Sequence, residues 1–148
     1  LERQDLPAGF YFYKVGISDK SEVVGFSQPP QDDFVSYTVA DWGDSGEIVK
    51  LPVEPLDVLM ARLGHELIDL LKIDIEGAEY RVIADITEKA ILPEQLCVEF
   101  HHGMYGYTPD HTRKAVATLR EAGYALHYVS QSGREYGFHL EKNGTRLA

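Results

Sequence analysis

The chain has 148 residues, of which 24 are acidic and 14 are basic, and a formal net charge of −10. An acidic chain offers no basic field to a phosphate backbone, which excludes nucleic acid as an expected partner. Its content of 44% apolar residues excludes a disordered chain. The lack of an apolar run of about 18 residues excludes a membrane-spanning helix.

The N-terminal residues and the cysteine content favour a cytoplasmic location. Residues 1–5 show no cationic region followed by an apolar one, so no signal peptide is predicted. The single cysteine, Cys97, cannot form an intramolecular disulfide, which fits a reducing compartment. Its position within an apolar strand predicts a small core residue.

The first third of the chain predicts extended structure and a long loop. We expect residues 1–9 to be a flexible leader. Residues 10–17 are aromatic and β-branched and predict a strand, which should form a hairpin with a second strand at 22–26. Residues 29–46 are rich in Pro, Asp, Gly and Ser and predict a loop insertion, in which 34–39 is a candidate edge strand.

A strand and a helix are predicted next. Residues 47–53 alternate as a strand does, and Pro52 should confine this strand to a sheet edge. Apolar residues then recur at helical spacing between Pro55, which suits a first helical turn, and Gly64, which suits a helix end.

The remaining pattern alternates strands and helices. The apolar run at 67–75 predicts a strand buried on both faces, as in parallel sheets. The later elements are predicted in chain order as a helix at 78–89, a strand at 95–100, a helix from Pro109 to Gly123 and strands at 124–129 and 136–140. This order predicts an α/β fold whose sheet is mostly parallel and ends in an antiparallel hairpin.

Residues at the carboxyl ends of the central strands are the candidates for function, because ligands bind there in such sheets. Asp74 and Glu76 end the first central strand and should face the same side, and Gly77 permits a tight turn. A carboxylate in an apolar run needs a partner or a function, since its bare burial is costly. The simpler interpretation is that Glu76 or Glu79 complements the N-terminus of the next helix.

The second central strand ends in Glu99, and His101 lies on the same face. If the two strands are neighbours, both residues should converge with Asp74 and Glu76. Such a set can perform general acid–base chemistry or hold a divalent metal through N and O ligands. In the alternative interpretation the acids cap backbone amides, and His101 and His102 are surface loop residues.

The segment LLKIDIEGAE at 70–79 resembles the FkbM-type methyltransferases, S-adenosylmethionine-dependent enzymes that mostly methylate hydroxyl oxygens. Weaker similarities to the same family occur in VGISD at 15–19, PLD at 55–57 and LCVEFH at 96–101. The resemblance spans roughly residues 10–140.

This resemblance implies a Rossmann-like class I methyltransferase sheet of seven strands, which binds S-adenosylmethionine at a Gly-rich loop after its first strand. That loop and the first βαβ unit have no counterpart in the sequence. We therefore expect residues 1–148 to form a single partial domain, the carboxyl-terminal part of the family domain.

The resemblance also implies roles for individual residues. The candidate catalytic residues are Asp74, Glu76 and His101. The candidate acceptor contacts are Glu99, His102 and Tyr105, and the candidate S-adenosylmethionine contacts are Asp74 and Gly77. The acceptor is expected to be a small molecule or a glycan, and this interpretation assigns no metal ligand.

Two other classes of function stay open. A metal-dependent hydrolase or lyase would use the same acids and histidine. A non-catalytic remnant or interaction module would pair with another chain, because missing sheet neighbours expose apolar edges that favour a homodimer.

Overall fold

The computed structural model describes residues 7–27, 38–39 and 48–141. Within these ranges the chain forms eight strands and three helices, arranged around two four-stranded sheets. Residues 1–6 of the predicted leader lie outside the described residues. So does the predicted insertion at 29–46, apart from the short strand at 38–39.

The first sheet has the strand order β1-β4-β2-β3. Its strands are β1 (Gly16–Ile17), β2 (Glu22–Ser27), β3 (Thr38–Val39) and β4 (Ile48–Glu54). Strand β1 is parallel to β4, whereas β2 is antiparallel to both β3 and β4. The strand at 22–26 is therefore confirmed, and β3 is an edge strand within the segment predicted to form one.

The predicted hairpin between 10–17 and 22–26 is wrong. Residues 10–15 form no strand, and β1 and β2 lie on opposite sides of β4. The amide of Ser18 donates to the carbonyl of Glu54 at the end of β4. The chain thus crosses the end of β4 before β2 begins. The turn residues between β1 and β2 are the same types that a hairpin would use, so they could not show this crossing.

The prediction that Pro52 confines its strand to a sheet edge is also wrong, since β4 lies between β1 and β2. Among the described residues β1 pairs only with Val53 and Glu54 of β4. In this part of the chain β4 therefore has partners on both sides only after Pro52, so the missing amide hydrogen of proline is tolerated there.

The second sheet has the strand order β5-β6-β8-β7. Its strands are β5 (Leu70–Ile73), β6 (Gln95–Glu99), β7 (Tyr124–Val129) and β8 (Glu135–Leu140). Strands β5 and β6 are parallel, β8 is antiparallel to both β6 and β7, and the terminal hairpin is confirmed.

The α/β fold is confirmed, but the prediction of a mostly parallel sheet is wrong. Among the described residues two strand pairings are parallel and four are antiparallel. Parallel pairing of successive strands needs a long crossover, and between β5 and β6 a helix provides it. The other parallel pair, β1 with β4, joins strands that do not follow one another in the chain, and the remaining described pairings are antiparallel.

Three helices complete the described structure: α1 (Leu56–Leu63), α2 (Glu79–Glu88) and α3 (Pro109–Glu121). Their predicted ends are confirmed within a residue or two. Gly64 ends α1 in the left-handed conformation with φ 71°, and Thr108 precedes α3, its amide donating to the ring of His111. The longest helix, α3, has 13 residues, and every described helix is too short or too polar to cross a bilayer.

The second sheet is buried on one face, and the prediction of strands buried on both faces is wrong. In β5 the side chains of Leu71 and Ile73 are buried, whereas Leu70 is 57% exposed. In β6 the same alternation exposes Cys97, so its predicted place in the core is wrong as well. Helices α2 and α3 pack together, and their apolar side chains form the core with the buried face of the sheet.

Candidate functional site

The carboxyl ends of the parallel neighbours β5 and β6 bring three predicted site residues together. Asp74 and Glu76 follow β5, and His101 follows β6. Nε2 of His101 lies 3.4 Å from Oε2 of Glu76 and 4.0 Å from Oδ1 of Asp74. We refer to Asp74, Glu76 and His101 as the acid–histidine cluster.

A third acid, Glu79, fixes the position of this cluster through hydrogen bonds to His101 and Gly77. Its side chain is 0% exposed at the first position of α2. Its Oε1 accepts hydrogen bonds from the amide of His101 at 2.8 Å and from Nδ1 of His101 at 3.2 Å. Its Oε2 accepts one from the amide of Gly77 at 2.8 Å. Because a carboxylate only accepts, Nδ1 carries a proton and Nε2 is turned toward Asp74 and Glu76.

The turn between β5 and α2 sets the positions of the Asp74 and Glu76 carboxylates. Glu76 and Gly77 both have left-handed backbones, with φ values of 51° and 98°. A Cβ atom on Gly77 would lie 3.0 Å from Cδ2 of Tyr105 and 3.2 Å from Cε2 of Tyr107. Glycine at this position therefore lets two aromatic rings close over the turn. The amide of Gly77, which is a predicted cofactor contact, is bonded to Glu79.

The loop after β6 adds one further side chain to the cluster. The hydroxyl of Tyr105 donates to Oε2 of Glu76 at 2.8 Å. Tyr105 also has a left-handed backbone, with φ 51°, a conformation that is costly for a bulky residue and concentrates at functional sites. The structure thus places the predicted acceptor contact Tyr105 beside Glu76.

The other two predicted acceptor contacts lie beside the cluster, without a direct hydrogen bond to it in the described ranges. His102 Nδ1 is 3.1 Å from Oγ1 of Thr112, which ties the ring to α3. Glu99 ends β6 opposite Glu135 of β8. Its link to the cluster is electrostatic, because its negative charge acts on His101.

The surrounding acids favour a positive charge on His101. The hydrogen bond to Glu79 raises the pKa of His101 above its usual value of 6.5, and the charges of Glu79, Glu76 and Glu99 add to this effect. Burial opposes it, because desolvation disfavours the charged imidazole. Lys72 Nζ also lies 2.8 Å from Oδ2 of Asp74, but both side chains are exposed and such pairs contribute little.

This arrangement can bind a hydroxyl group, move its proton or hold a cation. The imidazole and the two carboxylates of the cluster offer three ligand atoms that all lie within 4.8 Å of one another. Their roles in catalysis stay predictions.

Sequence reasoning missed the central place of Glu79. Its alternative role, complementing a helix N-terminus, accounts for its position in the first turn of α2 but not for its burial. A signal was present, since Glu79 shares the buried face of α2 with Val82, Ile83 and Ile86. A carboxylate on the apolar face of an amphipathic helix requires donors from another element.

A comparison of the sequence with protein-family models finds a match over the part of the chain that contains the acid–histidine cluster. Residues 7–126 match the family model described as the methyltransferase FkbM domain. No curated protein and no solved structure matches the chain significantly.

Proposed function

Because the chain belongs to the FkbM methyltransferase family, we propose that it transfers the methyl group of S-adenosylmethionine to a hydroxyl oxygen of a small molecule or glycan. The family match supports methyl transfer. The methyl donor, the acceptor and a Rossmann-like form of the sheet are parts of the proposal. The observation that carries it is the acid–histidine cluster at the carboxyl ends of β5 and β6, inside the matched segment.

The reaction requires two things of such a site. The acceptor oxygen forms a bond to the methyl carbon while the carbon–sulfur bond breaks, and sulfur keeps the electron pair. The hydroxyl must also lose its proton, so catalysis combines positioning with proton removal. The cluster supplies polar groups for both tasks, and the Asp74 side chain, 38% exposed, gives an acceptor access to them.

The charge of the chain supports an uncharged acceptor. With a net charge of −10 and four acids near His101, namely Asp74, Glu76, Glu79 and Glu99, the site would repel a phosphorylated or carboxylated molecule. Hydroxyl groups of a sugar or polyol carry no such penalty and can donate to the carboxylates. The cytoplasmic location and the homodimer expected from the sequence stay predictions.

The test joins the chain to the βαβ unit that the family resemblance leads us to expect before it, and measures S-adenosylhomocysteine release from S-adenosylmethionine with a panel of sugars and polyols. We expect acceptor-dependent release, and we expect His101→Ala to lower kcat/KM by about 10²- to 10⁴-fold. His127→Ala, which removes an exposed histidine of β7, serves as the matched control and should retain activity. Full activity in both Asp74→Ala and His101→Ala, or no binding of S-adenosylmethionine in a calorimetric titration, would overturn the proposal.

A further inference from the structure

We propose that the acid–histidine cluster is a binding site for one divalent transition-metal cation, held by Nε2 of His101 and the carboxylates of Asp74 and Glu76. The binding site stands on the geometry of these residues alone. Only the role of the cation, which is to activate the acceptor hydroxyl, rests on the proposed function.

The distances within the cluster suit a small cation. Two ligands that each lie about 2.1 Å from a tetrahedral ion are about 3.4 Å apart. Nε2 of His101 and Oε2 of Glu76 have this separation, 3.4 Å. Asp74 Oδ1 is 4.0 Å from Nε2, and its exposed side chain can close the remaining gap by rotation.

The buried state of His101 is the independent observation that points to a ligand. The residue is 4% exposed, and its ring makes its hydrogen bond at Nδ1, to Glu79. Within the described residues Nε2 makes no hydrogen bond and faces only two carboxylates, beyond the usual N–H···O range of 2.7 to 3.2 Å. Nε2 is thus buried beside two carboxylate oxygens, and all three ligand atoms lie within 4.8 Å of one another. A cation that replaces any proton on Nε2 would bind all three groups at once.

The contacts of Glu79 match those of an outer carboxylate in a metal site. Histidine ligands commonly donate their second ring N–H to a carboxylate, which fixes the tautomer and makes the ligating nitrogen more basic. Glu79 does this for His101 from a fully buried position. It also accepts the amide of His101, so the ring and the backbone that carries it are fixed together.

The other partners of the two acids leave ligand atoms available. Lys72 binds Oδ2 of Asp74, whereas Oδ1 is the oxygen nearer to His101. Tyr105 donates to Oε2 of Glu76, and a carboxylate oxygen that accepts one hydrogen bond has further lone-pair capacity. These contacts orient the two carboxylates beside His101.

The donor set selects the class of ion. One imidazole nitrogen with two carboxylates suits Zn²⁺, Mn²⁺ or Fe²⁺, whereas Mg²⁺ and Ca²⁺ prefer oxygen ligands throughout. With the cation in place, the acceptor hydroxyl oxygen would bind as a further ligand and become more acidic. Its proton would pass to water, and the oxygen would then form its bond to the methyl carbon as the carbon–sulfur bond breaks.

The experiment is an isothermal titration of the metal-free chain with Zn²⁺ or Mn²⁺ alone, without a methyl donor. We expect one ion per chain and weaker binding of Mg²⁺. Asp74→Asn and His101→Ala should lower the affinity at least tenfold, and Glu79→Gln should lower it about 10- to 100-fold. Asp74 is partly exposed, so its variant tests the site without a change in the core.

The matched control is His127→Ala, because His127 and His139 face each other on β7 and β8 with ring centroids 6.0 Å apart and offer a competing surface site. Unchanged affinity in this variant supports the proposal. Binding that is lost in His127→Ala and kept in His101→Ala, or no stoichiometric binding by the folded chain, would overturn it. Metal binding without methyl transfer would instead contradict the proposed function and leave the cation site intact.

Discussion

Glu79 and His101 are joined at two points, because one carboxylate oxygen of Glu79 accepts hydrogen bonds from both the backbone amide and the ring Nδ1 of His101. The other oxygen binds the amide of Gly77 in the turn after β5. A single buried side chain on α2 therefore connects the ends of two neighbouring strands. The geometry of the acid–histidine cluster depends on a residue that lies outside it.

Replacement of Glu79 should destabilise the fold. Glu79→Ala leaves two buried amides and a buried ring nitrogen without their acceptor, so we expect the free energy of unfolding to fall by about 3 kcal/mol. Glu79→Gln keeps one acceptor oxygen and should cost less. The measurement is urea unfolding, with Glu88→Gln at the exposed end of α2 as the control. A loss in Glu79→Ala no larger than in the control would contradict this interpretation.

Gly77→Ala should disturb the turn in two ways. The left-handed backbone with φ 98° is strained for alanine, and the added Cβ meets the ring of Tyr105 at 3.0 Å. We expect a loss of about 2 to 3 kcal/mol in unfolding free energy.

Gly106→Ala separates these two effects. Gly106 also has a positive φ, 78°, but nothing lies within 4 Å of the position that a Cβ atom would take there. We expect this variant to lose only about 1 kcal/mol, the cost of the backbone conformation. Equal losses in the two variants would show that contact with the aromatic rings contributes nothing.

Tyr124 should make the fold sensitive to alkaline pH. Burial raises its pKa from 10.0 to about 12, and its hydroxyl donates to the carbonyl of Pro93 at 2.7 Å. The folded state favours the neutral phenol, so this stabilisation is complete below pH 10 and is lost as the pH rises toward 12. The shift of about two units corresponds to about 2 to 3 kcal/mol.

The measurement compares urea unfolding at pH 8 and at pH 11.5 for the wild type, Tyr124→Phe and Tyr128→Phe. Tyr124→Phe should cost about 1 kcal/mol at pH 8 through the lost hydrogen bond. It should also lose less stability than the wild type between the two pH values. Tyr128 is 59% exposed, and its variant should follow the wild type. An identical alkaline loss in all three proteins would contradict the assignment to Tyr124.

Local signals predicted the helices and most of the second sheet. Capping residues such as Gly64 and Thr108 mark the ends of helices, because their backbone geometry depends on residues that are near in the sequence. The pairing of β5 with β6 also follows from short-range order, because a strand, a helix and a strand in succession favour a parallel pair. This pairing is why the convergence of Asp74, Glu76 and His101 could be anticipated.

The errors arose where the answer depends on distant partners. Residues 10–17 have the composition of a strand, but within the described residues only Gly16 and Ile17 pair with another strand, and that strand is β4 rather than the next one along the chain. Tyr11 is 76% exposed, so its aromatic character did not lead to burial. The role of Glu79 was missed for the same reason, since its donors come from another strand and a turn.

The alternation of β6 has a practical consequence for chemical labelling. Leu96 and Val98 point into the core, which leaves the sulfur of Cys97 on the accessible face. As the sequence has one cysteine, a thiol-reactive spin label attaches at a single position without mutagenesis. Cys97 precedes His101 by four residues, about 13 Å along an extended chain. A label there is close enough for dipolar broadening by Mn²⁺ to report whether the ion resides beside His101.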